Sequence, residues 1–303
     1  MRVLITGING FIGKHLANFL IERNYSVAGL DNKKKCFVKG VKDYFYGSVL
    51  NKKIVEKAVK NSDVVIHLAA LTAHEEIVDR KFETLEINFL GTKNVLDSFL
   101  NSKTAKKFLY PSSGKVYGTI TSLPITEEYS CLPLNALGRS KLITERLIDF
   151  YAAESRGKSF IIFRIFNVFG PGQKTSFLIP TILKQIQESN SIILGDIKAK
   201  RDYIYINDVI NAFVLSLERE ADSNFSIFNL SSNKETSAEE IVSKIAEIIG
   251  RKIKIKINKS KIRKNEMSVE YGSSEKIRKL LGWKPKYSIE EGLKETIKFY
   301  NLT

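Results

Sequence analysis

The first 31 residues constrain this chain more than any other stretch. "RVLIT" (2–6) is a short apolar run, and "TGINGFIG" (6–13) follows it at once. The helical pattern "GKHLANFLIERN" comes next, and a second apolar run, "SVAGLD", ends on Asp31. The order is strand, glycine-rich turn, helix, strand. Gly7 permits the tight turn, Gly10 lets another group approach the backbone, and Gly13 allows close packing of helix on strand.

Such a turn presents the free N–H groups of a helix N-terminus to a phosphate. An acid about 20 residues further on, at the end of the second strand, completes a dinucleotide-binding fingerprint. Gly7, Asn9, Gly10, Phe11, Ile12, Gly13 and Asp31 are therefore assigned to the cofactor. Asp31 suits the adenosine ribose and repels a 2′-phosphate, which favours NAD over NADP. Lys33, Lys34 and Lys35 follow directly and read as a solvated loop.

Further apolar runs alternate with helical patterns: "DVVIHLAA" (63–70), "KKFLYPSS" and "SFIIFRIFNVFG". Nearly continuous apolar strands separated by amphipathic helices predict a parallel sheet covered on both faces. The fold class is α/β, a doubly wound Rossmann sheet with a smaller C-terminal α/β domain. The boundary is expected near residue 170, where Pro171 and Gly172 end a strand. Residues 1–170 would hold NAD and residues 171–303 the substrate, with some chain crossing back.

Composition narrows the class further. A chain of 303 residues with 43% hydrophobic and 27% charged residues is that of an ordinary soluble globule. No apolar run approaches the ~20 residues of a membrane span. Two cysteines, Cys36 and Cys131, form no C-x-x-C. A cytoplasmic setting without disulfide or metal is expected. The formal charge of +15 comes from dispersed lysines. In "RKIKIKINKSKIRK" (251–264) isoleucine and lysine alternate without aromatic residues. That is a half-buried strand rather than a base-stacking surface, so nucleic acid is not the expected partner.

With "SSGKVYG" (112–118), Lys141, "FRIFNVFGPG" (163–172) and "RDYIYINDV" (201–209), the chain resembles the NAD-dependent epimerase/dehydratase family. These are extended short-chain dehydrogenases acting on nucleotide sugars. The resemblance runs from residue 1 to "LGWKPKYSIEEGLKETIKFY" (281–300). It implies a nucleotide-sugar substrate, UDP-linked by family habit, and C4 oxidation and reduction of the hexose. It also implies a homodimer built from helices near 88–101 and 136–154.

Position by position, the resemblance makes Ser113 the hydroxyl that bonds the sugar O4, with Ser112 in reserve. Lys141 binds the nicotinamide ribose. Leu68, Ala69 and Ala70 line the cofactor, and Thr72 the sugar. Asn167 contacts the sugar nucleotide, and Arg201 and Arg263 grip its diphosphate. His74, Glu75 and Glu76, in the loop after the third Rossmann-type strand, are candidate proton carriers or plain solvated polar residues.

One departure dominates. The family's catalytic tyrosine precedes the lysine by four residues, and Leu137 stands there. Leucine transfers no proton, and acid–base assistance is typically worth ~10²–10⁴-fold. Some UDP-N-acetylglucosamine 4,6-dehydratases carry S-T-D-K and a methionine at the corresponding places. Lys115 matches their proton-transferring lysine, but Gly114 replaces their aspartate. Three readings follow: an epimerase-like enzyme that has lost its phenol, a dehydratase-like enzyme using Lys115, or an NAD- and sugar-nucleotide-binding protein of low turnover. The missing acid at Gly114 weighs toward the first. Tyr117 is expected to pack and orient its loop rather than replace the base.

Overall fold

A computed structural model describes residues 1–72, 80–219, 223–262 and 267–302. Seven strands form one parallel sheet: β1 (Arg2–Thr6), β2 (Ser26–Asp31), β3 (Asp43–Tyr46), β4 (Val64–His67), β5 (Lys107–Ser113), β6 (Ser159–Ile165) and β10 (Phe225–Leu230). Their order is β10-β6-β5-β4-β1-β2-β3. The order reverses beside β1, which places a crevice at its carboxyl end.

The central strands are mostly apolar because both faces are covered. Val3 and Ile5 of β1 point to one layer, with Leu16 and Leu20 of α1 (Phe11–Glu22) and Phe213 of α7 (Ile206–Glu218). Leu4 points to the other, with Val55 of α2 (Lys52–Val59), Phe99 and Ile148. Phe99 lies in a long helix made of α3 (Lys81–Leu85), a π-type stretch (Glu86–Gly91) and α4 (Thr92–Asn101). Ile148 lies in α5 (Ala136–Ala153).

The rest of the chain builds a smaller assembly over the strand ends. Here β9 (Lys200–Tyr205) pairs with β7 (Asn167–Phe169), β11 (Glu235–Ser237) and the two-residue β13 (Val269–Glu270). The lysine–isoleucine repeat forms β12 (Lys254–Ile257), paired with β8 (Ser191–Leu194). Its lysines are exposed and Ile255 is half-buried, but Ile257 is exposed too. Helices α6 (Leu178–Glu188), α8 (Ala238–Ile249), α9 (Glu275–Leu281) and α10 (Ile289–Phe299) complete this part.

Candidate active site

The glycine-rich turn has the geometry its residues demand. Gly7 adopts φ +69°, and a β-carbon on it would lie 2.8 Å from the Ala69 nitrogen. A β-carbon on Gly13 would lie 2.4 Å from the Gly7 carbonyl oxygen. Among the described residues no side chain caps α1. Its N-terminus is therefore available to a phosphate. Asp31 is buried, and its Oδ2 accepts a hydrogen bond from the Asn9 N–H at 2.9 Å while Oδ1 accepts from the Lys33 N–H at 3.1 Å. The Asn9 side chain is turned away from the turn. Its amide donates to the Lys35 carbonyl and the Tyr44 hydroxyl, and its oxygen accepts from the Phe37 N–H. Asn9 thus braces the loop after Asp31. Phe11 and Ile12 are half-buried against the core.

Leu68, Ala69 and Ala70 follow β4 across the same crevice. The Thr6 carbonyl accepts from the Leu68 N–H, and the Thr6 hydroxyl accepts from the Ala69 N–H. His67 is fully buried between the Thr6 and Thr92 hydroxyls. Burial, aided by the nearby Lys141 charge, pushes its pKa down to about 3. It is a neutral strut. Asn88, which sequence reasoning passed over, grips the next residue from both sides. Its oxygen accepts from the Leu71 N–H at 2.9 Å and its amide donates to the Leu71 carbonyl at 3.1 Å. The same amide reaches the Ser140 hydroxyl on α5. Asn88 therefore ties the cofactor-side loop to the helix that carries Leu137 and Lys141.

Strand β5 ends at Ser113, whose Oγ accepts from the Lys115 N–H at 3.2 Å. The reserve residue, Ser112, points elsewhere: its hydroxyl donates to the Glu145 carboxylate. Glu145 is paired with Arg164 at 2.7 Å, and both are buried. Burial penalises the Arg164 charge, yet Glu145 outweighs this and raises its pKa. Breaking such a buried pair leaves an uncompensated charge. Tyr117 is fully buried, and its hydroxyl donates to Asn229 Oδ1 at 2.6 Å. Burial raises its pKa, so it is a packed phenol with no access to the site.

On α5, Asn135 caps the helix by accepting from the Gly138 N–H. Leu137 is half-buried in the first turn. Lys141 is one turn on and 3% exposed. Its ammonium donates to the Pro111 carbonyl at 2.7 Å and lies 4.4 Å from the centre of the Tyr110 ring. Burial pushes its pKa down to about 7, against the opposing pull of Glu145.

The substrate-side residues are less uniform. The Asn167 amide donates to the Asp202 carbonyl and so ties β7 to β9. Arg201 is buried, and Glu270 lies directly beside it in the strand register. Lys115 reaches Glu270 at 2.6 Å. Glu270 had no sequence signal, because its two-residue strand has no periodicity to read. Thr72 is exposed after β4. His74, Glu75, Glu76 and Arg263 lie outside the described residues.

Glycine cradle, acidic strand end, and a serine and a lysine at adjoining strand and helix ends define a Rossmann enzyme of the extended short-chain dehydrogenase class. Comparison with known proteins narrows the class. A family model described as GDP-mannose 4,6 dehydratase matches residues 4–296. The GDP-6-deoxy-D-mannose reductase of Pseudomonas aeruginosa is 31% identical, over 97% of this chain and 95% of the relative. A putative UDP-glucose 4-epimerase of Methanocaldococcus jannaschii is 32% identical, over 97% of each chain. The crystal structure of UDP-glucose 4-epimerase from Bifidobacterium longum in complex with NAD+ and UDP superposes with a TM-score of 0.90, at 26% identity. That match covers 99% of this chain and 98% of the other. The chain belongs to the NAD-dependent epimerase/dehydratase family of nucleotide-sugar enzymes.

Proposed function

We propose that this protein binds NAD and carries out oxidation and reduction at C4 of a UDP-linked hexose, in an epimerase-like reaction. The observation that carries this reading is the placement of the glycine cradle and Ser113 at the carboxyl ends of neighbouring parts of one parallel sheet. The glycine cradle and Asp31 fit the adenosine and pyrophosphate of a dinucleotide. Ser113, Lys141 and Arg201 are the family's residues for the sugar, the nicotinamide ribose and the diphosphate. Residues 1–170 would serve the cofactor and most of 171–303 the sugar nucleotide.

When bound, NAD would supply hydride transfer from and back to the sugar carbon. The chain's own residues do the rest. The α1 N-terminus neutralises pyrophosphate charge, and Asp31 holds the adenosine ribose. Ser113 bonds the sugar hydroxyl, with its own oxygen already fixed by the Lys115 N–H. Arg201 holds the diphosphate. Leu137 moves no proton, and Lys115, whose N–H bonds Ser113, is the proton carrier in this reading.

A second reading rests on the same leucine: a protein that binds NAD and a sugar nucleotide and turns over slowly. Mass spectrometry of small molecules carried by the purified protein, followed by incubation with UDP-hexoses, tests both. NAD plus a sugar nucleotide with conversion of the hexose is expected. Retention of both ligands without conversion selects the second reading. Absence of either ligand, with no measurable affinity for NAD or UDP, removes both.

We also propose a homodimer. Phe82 is 88% exposed and Phe150 62% exposed, and Leu85, Leu90 and Ile143 are exposed on the same two helical segments. Paired with a second copy, these faces make a four-helix bundle.

A further inference from the structure

We propose that Glu270 is the positioning residue and proton partner of Lys115, supplying from β13 the carboxyl group that is missing at Gly114. The proposal rests on the functional reading above for its UDP-binding and kinetic arms.

Three observations converge on it. Lys115 has a fixed backbone beside the first turn of α5. Its N–H donates to Ser113, and its carbonyl oxygen is so close to Gly138 that a β-carbon there would lie 2.2 Å away. From this fixed point its side chain reaches Glu270 Oε2 at 2.6 Å. The same carboxylate oxygen lies 3.8 Å from Arg201 Nε. One buried acid thus faces two cations. An acid at Gly114 itself would need the Phe166 ring, 3.2 Å from a β-carbon there, to give by a few tenths of an ångström.

The placement has a cost that needs a reason. A carboxylate beside Arg201 weakens the attraction of that guanidinium for a diphosphate. Serving Lys115 supplies the reason. Lys115 takes up a proton only as a neutral amine. Along the existing bond, Lys115–NH3+ and Glu270–COO− become Lys115–NH2 and Glu270–COOH. One N–H bond breaks, one O–H bond forms, and nothing else is consumed. Arg201 holds the carboxylate charge in place until a diphosphate occupies the guanidinium. Substrate binding and the proton shift are then coupled through Arg201. The other amine at the site, Lys141, is turned inward to Pro111.

The test compares wild type with Glu270→Gln. Brief acetylation with acetic anhydride at mildly alkaline pH, read by peptide mass spectrometry, reports the amine at Lys115 against exposed Lys39. Labelling of Lys115 should rise severalfold once its amine is released from the bond to the Glu270 carboxylate. UDP should bind several-fold more tightly at low salt. With UDP-glucose, kcat should fall by about tenfold or more while KM does not rise, because the freed amine is no longer held by a carboxylate that accepts its proton. Unchanged Lys115 labelling, or unchanged kcat, in a variant that unfolds at the wild-type temperature would overturn the assignment. Should Glu270→Gln not fold, Glu270→Asp carries the same test: Lys115 labelling must exceed wild type, and equality overturns the proposal. The labelling arm needs no substrate. Failure of wild type to bind UDP or convert UDP-glucose would therefore defeat the functional reading and leave this test standing.

Discussion

Gly138 and Lys115 meet backbone to backbone: a β-carbon on Gly138 would come within 2.2 Å of the Lys115 carbonyl oxygen. The second and third nearest atoms, at 2.9 Å, are the Lys115 carbonyl carbon and a Pro133 side-chain carbon. The first turn of α5 therefore seats against the turn that carries Ser113 and Lys115. Gly138→Ala should cost about 1–3 kcal/mol through overpacking. An unchanged midpoint in urea denaturation would show that the turn gives way freely.

Leu137 and Lys115 make opposite forecasts. With Glu270 paired to Lys115, Lys115→Ala should lower UDP-hexose turnover by about 10²-fold or more. NAD affinity should be unchanged. Leu137→Tyr should then change turnover by less than about tenfold, because proton transfer already has a carrier. A large gain from Leu137→Tyr with little loss from Lys115→Ala would restore the reading that Gly114 suggested in the sequence, an epimerase that has lost its phenol.

Lys141 should make stability depend on pH in a definite direction. Its folded pKa is about 7 against an ordinary 10.5. Between these values the unfolded chain binds the extra proton, so stability rises with pH. Below about 7 both states are protonated and the penalty of burying the ammonium is fully present. Lys141→Met should therefore raise the melting temperature, by roughly 2–4 °C for each kcal/mol recovered. The gap from wild type should be widest at or below neutral pH and shrink toward pH 10. A gap that widens with pH would contradict a lysine whose pKa is lowered by folding.

Asp31 should set cofactor choice. Its carboxylate, held by two backbone N–H groups, repels a 2′-phosphate. Calorimetry should show NAD binding much more tightly than NADP, and Asp31→Ala should weaken NAD and narrow the difference. Equal affinities in wild type would remove this reading.

The exposed faces of α3 to α5 predict a dimer at micromolar concentration in sedimentation velocity. Phe150→Glu should shift the species toward monomer, since Phe150 is 62% exposed in the single chain. A wild-type monomer would remove the four-helix arrangement.

Much of the cofactor half was legible in the chain because its requirements are local. Gly7, Gly10 and Gly13 are dictated by a turn, a close approach and a helix seat within one short segment. Asp31 is placed by the end of the next strand. The parallel sheet was legible for a related reason: strands buried on both faces must be apolar at every position, and β1, β4, β5 and β6 are nearly so. Ser113 and Lys141 were legible through their motif neighbours, and Leu137 stood out against them.

The rest is decided by contacts between distant segments. Asn88 bridges Leu71 and Ser140, and no pattern around it announces either partner. Glu145 reads as the polar face of a helix, yet it is buried against Arg164 of β6 and Ser112 of β5. Lys141 reads as an ammonium for a ribose, and only its enclosure by Pro111 and Tyr110 brings its pKa to about 7. Glu270 is the clearest case. Its two-residue strand acquires meaning only by lying beside Arg201 on β9 within reach of Lys115. The sequence by itself determined the cradle and the missing phenol, since each depends on residues a turn or a strand apart. The tertiary structure alone decided which charged groups share the space beside Leu137, because burial and pairing are set by packing between segments that local backbone geometry does not connect.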